Sequence, residues 1–578
     1  MLVLAIILAG AFARIAGTGW DEGAGLHPDE RHMLFVSMDA FRGLDTTTLG
    51  PTELWFATGR SPLDPRLKGQ NFVYGELPHL TVTLLGRLLG LPGWPELQRL
   101  GRLVGAVLDS YTILAVFLLA WATWRSRLAG ICGAVLYAFA PLAVQHANFF
   151  TVDVWLTAAT AWGIFFAVML YRARSSAAAL GWAALTGFAA ALALATKLPG
   201  LAVWGTLGAA VVLRWLVDRR SLAHLLQAAM QLAIGSLVFL VAFRLVSPFS
   251  FEGPGLFSIL PSQGWINGYL GAANLVHDPN FPPNWQWSVD PGWRRPAKDL
   301  VVWAFGLPAT AMLALSFLRA ILRPRAADIA ALVPGLLVLA YLVYWLSGPI
   351  PALRYVLPAF PALCALAGGL AAGTTMPFRV GALLLGLGGV VWGMGMVSIH
   401  TSVNTRLLAS RWMWQELPAG TTVANETPWD DGLPVPVSLK EGDTPVWPDR
   451  DAHFRFLLLG MEIPDSADKA RGIAAKLEEA DVFIIPSQRM RQPILGLPGR
   501  FPMSSAFYRH LAAGDLCFER AFRVVPGYRV AGIRFDDSQA QEPWSVYDHA
   551  PVEIYRKLPC FDRSKVERLL LQALDKGS

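Results

Sequence analysis

Charge is what this sequence has least of. Only 16% of its 578 residues are Asp, Glu, Lys or Arg, whereas 54% are hydrophobic, and so few charges cannot cover a soluble surface of that size. A wholly soluble enzyme is thereby excluded. Cysteine is scarce too. Four in the whole chain make no disulfide framework: Cys132 and Cys364 lie inside apolar runs, while Cys517 and Cys560 lie in the polar C-terminal part, where a bridge between them stays open. The net charge of +6 is modest, and without a basic stripe interleaved with aromatics there is no nucleic-acid surface. No convincing Gly-rich phosphate loop is found, so no nucleotide is implied. Internal repeats and low-complexity tails are lacking as well.

What the sequence does have is long apolar runs. A transmembrane helix needs about 20 mostly apolar residues, and about eleven spans are predicted, at 2–17, 103–124, 128–145, 150–171, 177–195, 198–215, 225–246, 300–322, 327–347, 356–373 and 380–399. The first is the weakest, because it meets Arg14 early. A signal peptide cleaved after Ala11-Phe12-Ala13 competes with it, but the basic flank such a peptide carries is missing.

Arginine pairs fall in alternate short loops: Arg125 with Arg127, Arg172 with Arg174, Arg214 with Arg219 and Arg220, and Arg323 with Arg325. The positive-inside rule places these in the cytoplasm. Outside then lie a first loop at 18–102, short loops at 146–153, 195–200 and 348–355, and a large loop at 247–298. Within the first loop, residues 74–90 read as an interfacial helix. Leu77, Leu80, Leu84, Leu85 and Leu88 would face apolar surroundings, with His79 and Arg87 at the headgroups. The proline-rich DPNFPPNWQW from Asp278 reads as an irregular loop whose tryptophans anchor at headgroups or touch substrate.

After Ile399 the texture changes. Charges become frequent, no run is long enough to span, and strand-like 481–486, 529–535 and 551–557 accompany a helix-like 467–480. The predicted fold is a polytopic α-helical membrane domain at 1–399 followed by an extracytoplasmic α/β domain at 400–578. It is placed in the plasma (inner) membrane.

The densest polar motif lies just beyond the first run, where Gly25 to Leu34 reads GLHPDERHML. Asp29 or Glu30 there can take a proton from an incoming hydroxyl, tuned by His27 and His32. The plainer alternative is a helix start, with Pro28 opening the helix and acids favouring its N-terminus. Asp153 at the mouth of an apolar run, Lys197 between two runs, Arg354-Tyr355 at another opening and Arg244 at the end of a fourth add two kinds of charge to the same face. Each cation alone can snorkel; together they suit an anionic lipid phosphate with a base beside it.

At these residues the chain resembles the polyprenyl-phosphate-sugar-dependent glycosyltransferases of the membrane C-type (GT-C) fold, in particular bacterial relatives of protein O-mannosyltransferases and of aminoarabinose transferases. The resemblance rests on HPDE from His27, NFVYGELPHL from Asn71, QHANFFTVDVWLT from Gln145, LATKLPGL from Leu194 and RYVLPAFPAL from Arg354. SVYDHAPVEIYRK from Ser545 also resembles the end of some bacterial members. The resemblance implies an inverting, single-displacement transfer at the outer face, from a polyprenyl-phosphate sugar to a protein, lipid or glycan acceptor. Asp29, with Glu30 beside it, and Asp153 match the family's acids. Lys197, Arg354, Tyr355 and Arg244 would hold the donor phosphate, and His27, His146 and Tyr74 would contact substrate or a metal. No cofactor is called for, and a divalent ion stays an option. The rival from another class is a polyprenyl-phosphate transporter or flippase without chemistry, and a third is an assembly factor. A transporter would carry broken helices in two related halves, and no such symmetry is read here.

Overall fold

The computed structural model describes every residue except 68, 70, 71, 218–220, 374, 429–431, 442, 443 and 578. Asn71 of the first-loop motif, and Arg219 and Arg220 of one arginine loop, therefore lie outside the described residues. The protein is a multi-pass membrane protein. Among the described residues, seven helices are long and apolar enough to cross a membrane, and two further pairs pass the same test across a bend. The remaining two apolar runs are helical but short, Leu2–Ile15 and Leu357–Ala372. All eleven runs are thus helical, although straight full spans are fewer than eleven.

Proline accounts for the breaks, since it removes a backbone donor and clashes with the preceding turn. Arg127–Ala138 and Pro141–Ala147 meet at 56°, and Arg294–Ala304 and Leu307–Leu322 meet at 105°. At the second break Gly306 takes φ +89 just ahead of Leu307-Pro308.

Arg14, which made the first run look weak, is fully buried. Its Nε donates to Asp109 Oδ2 at 2.6 Å, and its other nitrogens donate to the carbonyls of Gly10, Tyr137 and Ala138. The Tyr137 hydroxyl donates to the other Asp109 oxygen.

The arginine loops gather at one end of the bundle. Arg172 donates to Thr123 O at 2.7 Å, Arg214 to Ala173 O at 2.5 Å, and Arg319 lies 4.9 Å over the Trp124 ring. The C-terminal region packs on the opposite end: Gln145 Nε2 donates to Trp544 O at 2.7 Å, and the Tyr528 hydroxyl donates to Trp392 O at 2.6 Å.

That region is an α/β unit built on a five-stranded mixed sheet. Arg455–Leu458, Thr422–Asn425 and Val482–Ile485 run parallel, and Val552–Lys557 and Phe518–Val524 continue it antiparallel. Val482–Ile485 is buried throughout, as a strand covered on both faces must be. Phe483 and Ile485 face one core, with the helix Ala467–Glu479. Val482 and Ile484 face another that includes Trp20, Leu26 and Phe149 of the membrane part. Ala470, Ile473, Ala474 and Leu477 form the buried stripe of that helix, and the Ser466 hydroxyl caps it by accepting from Lys469 N at 3.1 Å. Cys517 and Cys560 form a disulfide.

Three expectations need correction. Residues 529–535 are a small hairpin, Tyr528–Val530 with Ile533–Phe535, separate from the main sheet, because Ala531-Gly532 turns the chain with positive φ. Trp285 and Trp287 are buried; Trp285 packs 4.6 Å from Phe501 in the α/β core, so its indole is spent on packing and anchors no headgroup. Ahead of that segment, where no element was assigned, the large loop forms a regular helix, Gln263–His277. Leu77–Leu89 is a helix of 13 residues, about 20 Å at 1.5 Å per residue and too short to cross. It exposes Leu84 and Leu88, but His79 is fully buried and stacks edge-on at 5.5 Å against Phe72.

Removing one partner of a buried ion pair strands the other, at about 3–5 kcal/mol. Asp109→Leu should therefore lower the thermal unfolding midpoint of the solubilised protein, and the Arg14→Leu, Asp109→Leu double variant should recover part of the loss.

Candidate functional site

At the end of the bundle opposite the arginine loops, four chain segments bring charge together. The helix Pro28–Thr46 opens at Pro28 after the extended N-cap His27, which sets Asp29 in its first turn. Asp153 sits in the first turn of Val152–Tyr171. Lys197 follows the end of Ser176–Leu194 in extended backbone, and Arg354-Tyr355 form a single turn of 3-10 helix, Leu353–Tyr355. The first loop is fastened to the Lys197 segment by Gly75 N to Thr196 O at 2.9 Å and Leu77 N to Ala195 O at 3.0 Å. The chains run so close there that a Cβ on Gly75 would stand 2.0 Å from Ala195 O, so only glycine fits.

Two ion pairs define the site. Arg354 donates to Asp29, and Lys197 Nζ donates to Asp153 Oδ1 at 2.8 Å. The Tyr355 ring lies between the cations, 5.0 Å from Lys197 Nζ and 5.5 Å from the Arg354 guanidinium, a favourable cation–aromatic geometry. The pairs differ in access. The side chains of Asp29 and Arg354 are each 22% exposed, against 15% for Lys197 and 3% for Asp153.

The electrostatics follow. Burial pushes the Asp29 carboxyl up, but Arg354, with Lys197 behind it, overcomes this and holds it well below the usual carboxylate range. Burial likewise opposes the charge on Lys197, and Asp153 outweighs it, so the ammonium is held above its ordinary value. Burial pushes His27 down to about 3, leaving a neutral imidazole. Burial, helped by the nearby Asp29 carboxylate, also keeps the Tyr74 phenol protonated above its usual range.

His27, His146 and Tyr74 fall within this group. His27 and His146 lie 4.7 and 5.8 Å from the Phe149 ring that separates them, and the Nδ1 of each is buried without a hydrogen-bond partner among the described residues. His32, one turn beyond Asp29, stacks 5.7 Å from Phe72. Among the described residues, no three His, Cys, Asp or Glu side chains converge as a metal-ligand set.

Two candidates are elsewhere. Glu30 is fully buried and takes Arg102 Nε at 2.7 Å and Nη2 at 2.9 Å, sharing that guanidinium with Asp21. Adjacent residues diverge by about 100° on a helix, so Glu30 braces the loop while Asp29 faces the cations. Arg244, in the last turn of the helix Leu222–Val246, donates to the loop carbonyls Pro248 O at 2.9 Å and Gly255 O at 2.6 Å between the rings of Phe56 and Phe251. It braces the large loop.

Two further groups belong here and were missed. Tyr344 lies 6.3 Å from Tyr355. Tyr547, from the SVYDHAP segment, lies 4.1 Å from His27. Behind Tyr547, Asp548 and Asp537 flank His549, with His549 Nε2 2.9 Å from Asp537 Oδ2. A cavity of about 490 Å³ lies farther along the Pro28–Thr46 helix at Val36, Asp39, Gly43, Arg60 and Pro62, apart from the charged cluster.

Residues 100–247 match the sequence model of the dolichyl-phosphate-mannose-protein mannosyltransferase family, a stretch well short of half the chain that carries Asp153 and Lys197. The chain is similar to glycosyltransferases. The motif resemblance and the family match meet on the same enzyme class. No curated protein matches the chain. Among solved structures, the Archaeoglobus fulgidus oligosaccharyltransferase complexed with Zn and sulfate aligns at 14% identity over 91% of this chain and 72% of that one, with a TM-score of 0.49. ArnT from Cupriavidus metallidurans bound to undecaprenyl phosphate aligns at 16% identity over 97% and 98%, TM-score 0.44. The S. cerevisiae protein O-mannosyltransferase complex bound to the sugar donor aligns at 17% identity over 44% and 34%, TM-score 0.34.

The flanked imidazole has a measurable signature. Burial opposes a charge on His549, but Asp548 and Asp537 outweigh it and lift its pKa from 6.5 to about 10. A raised folded-state pKa gives stability that is complete below the unfolded value and disappears as pH climbs through the folded one. The unfolding midpoint should accordingly fall between about pH 6.5 and 10, and His549→Gln should flatten the curve across that window when both are followed by thermal denaturation.

Proposed function

We propose that the protein transfers a sugar from a polyprenyl-phosphate-linked donor to a hydroxyl of a protein, lipid or glycan acceptor at the extracytoplasmic face of the inner membrane. The transfer is an inverting single displacement. The observation that carries this reading is the pair of carboxylate–cation contacts, Asp29 with Arg354 and Asp153 with Lys197, set around Tyr355 at the end of the bundle away from the arginine loops. A match to a family whose named donor is dolichyl-phosphate-mannose supports the lipid-phosphate part.

A donor phosphate competes with the carboxylates for the two cations. As it takes Arg354, Asp29 loses the partner that holds its carboxyl down, its pKa climbs, and it becomes a better base for the acceptor hydroxyl. The acceptor oxygen bonds to the anomeric carbon, and the bond from that carbon to the phosphate oxygen breaks. The hydroxyl proton goes to Asp29, while the electron pair leaves on the lipid phosphate. Lys197 and Arg354 stabilise that developing charge, and the Tyr355 ring steadies both cations. Asp153, almost fully buried, orients Lys197. We assign Glu30 and Arg244 no part in the transfer.

The alternating arginine loops support a cytoplasmic location for their end of the bundle. The Cys517–Cys560 bridge supports an oxidising compartment for the α/β unit. That unit is accordingly the extracytoplasmic domain, beginning at about residue 400 where the last span ends.

Asp29→Asn keeps the shape and removes the base, so turnover should fall roughly a hundredfold or more. Lys197→Ala and Arg354→Ala remove contacts made in both ground and transition state, and should raise the donor KM as well as lower the rate. Release of labelled lipid phosphate from purified, folded protein measures both. Parental turnover in Asp29→Asn would remove Asp29 from the base position.

A further inference from the structure

The C-terminal α/β unit is tied to the charged site by one short segment, 541–550. Gln541 Oε1 accepts from Leu353 N at 2.9 Å, which holds the turn bearing Arg354. Six residues on, the Tyr547 ring lies 4.1 Å from His27, the residue that caps the helix bearing Asp29. His27 has Phe149 against it as well, at 4.7 Å. One segment thus touches the supports of both members of the Asp29–Arg354 pair.

This segment is held far more tightly than a simple seam between two units requires. Trp544 O accepts from Gln145, Val546 O from Arg406 at 2.9 Å, Asp548 O from Asn404 at 2.8 Å and Ala550 O from Thr405 at 2.6 Å. The Asp548 carboxylate accepts from Gln145 Nε2 at 2.9 Å, stands 3.1 Å from His400 Nε2, and pairs with His549. His549 in turn meets Asp537, which also accepts from Trp544 Nε1 at 3.0 Å. Asp537, Asp548 and His549 are all at least nine-tenths buried. Buried charges are expensive unless met, and the charged groups of Asp548, His549 and Asp537 meet one another in a single chain that restricts the geometry here. What that chain of contacts holds, one residue away, is Tyr547, which is itself half-buried.

We propose that Tyr547 is a positioning residue of the transfer, which makes the α/β unit a working part of the active site. This rests on the sugar-transfer reading given above. The tilted ring contact with His27 sets the start of the Pro28–Thr46 helix, and with it the direction in which Asp29 faces Arg354 and the acceptor. A misplacement of about 1 Å at a reacting group can cost on the order of a hundredfold in rate. A ring at position 547 is therefore worth rate more than donor affinity.

The test uses the full chain, with Tyr547→Ala, Tyr547→Leu and Tyr547→Phe each followed by thermal unfolding. Diethyl pyrocarbonate, which acylates neutral imidazole nitrogens, is applied and labelling at His27 is read by peptide mass spectrometry beside donor kinetics. His27 is 1% exposed and should label slowly in the parental protein and in Tyr547→Phe, whose kcat should stay within about threefold. Tyr547→Leu and Tyr547→Ala should label clearly faster at His27 and lose roughly tenfold to a hundredfold in kcat, with the donor KM held within about twofold. Parental kcat per folded molecule in Tyr547→Leu, whatever its unfolding temperature, would overturn the proposal. So would a lost rate without any change at His27. Labelling needs no turnover, so a parental protein that transfers nothing would fail the functional reading and leave the contact itself measured.

Discussion

Two carboxylates at the face of a membrane domain, each neutralised by one cation, set the terms for everything around them. An unpaired charge at such a depth is costly, and neither Asp29 nor Asp153 has a partner on its own helix. Arg354 comes from 325 residues away and Lys197 from 44. The fold must therefore hold four segment ends in register, and its irregular features serve that need. Gly75 lets the first loop approach the Lys197 segment, the separate turn Leu353–Tyr355 presents Arg354, and Arg102 gathers Asp21 and Glu30 into a brace at the first loop.

The same constraint explains why the C-terminal unit is fused to the bundle rather than hung from it. One face of its sheet shares a core with Trp20, Leu26 and Phe149, and the segment 541–550 reaches both His27 and the Arg354 turn. A chain of buried polar contacts crosses this seam, from Gln145 through Asp548 and His549 to Asp537. Such chains discriminate between one docking geometry and its neighbours more sharply than apolar contact does.

Much of this was legible in the residues. Apolar runs and alternating arginines mark the helices and their two ends, and a charge at the mouth of an apolar run singles out Asp153, Lys197 and Arg354 without any partner being known. Asp29 needed one more step, because HPDE reads equally as a helix start, and it does open the helix Pro28–Thr46. Glu30 points away from Asp29, to Arg102, for a reason that periodicity supplies: neighbours on a helix face different ways. Arg244 looked free at a helix end, yet the carbonyls it donates to belong to a loop whose path no local pattern reveals. Trp285 resembled an interfacial anchor until the α/β core claimed it. Tyr547 was out of reach altogether, since it meets His27 across 520 positions of chain and only the folded seam joins them.

The account turns on competition: Asp29 occupies the cation that the donor phosphate must take. Equilibrium binding of polyprenyl phosphate to the parental and Asp29→Asn proteins, at fixed pH and ionic strength, tests this most directly. Removing the competing carboxylate should tighten lipid-phosphate binding, by about tenfold if the displaced pair is worth about 1.4 kcal/mol. Binding that weakens, or that is the same in both proteins, would mean that Arg354 is not the cation that receives the phosphate.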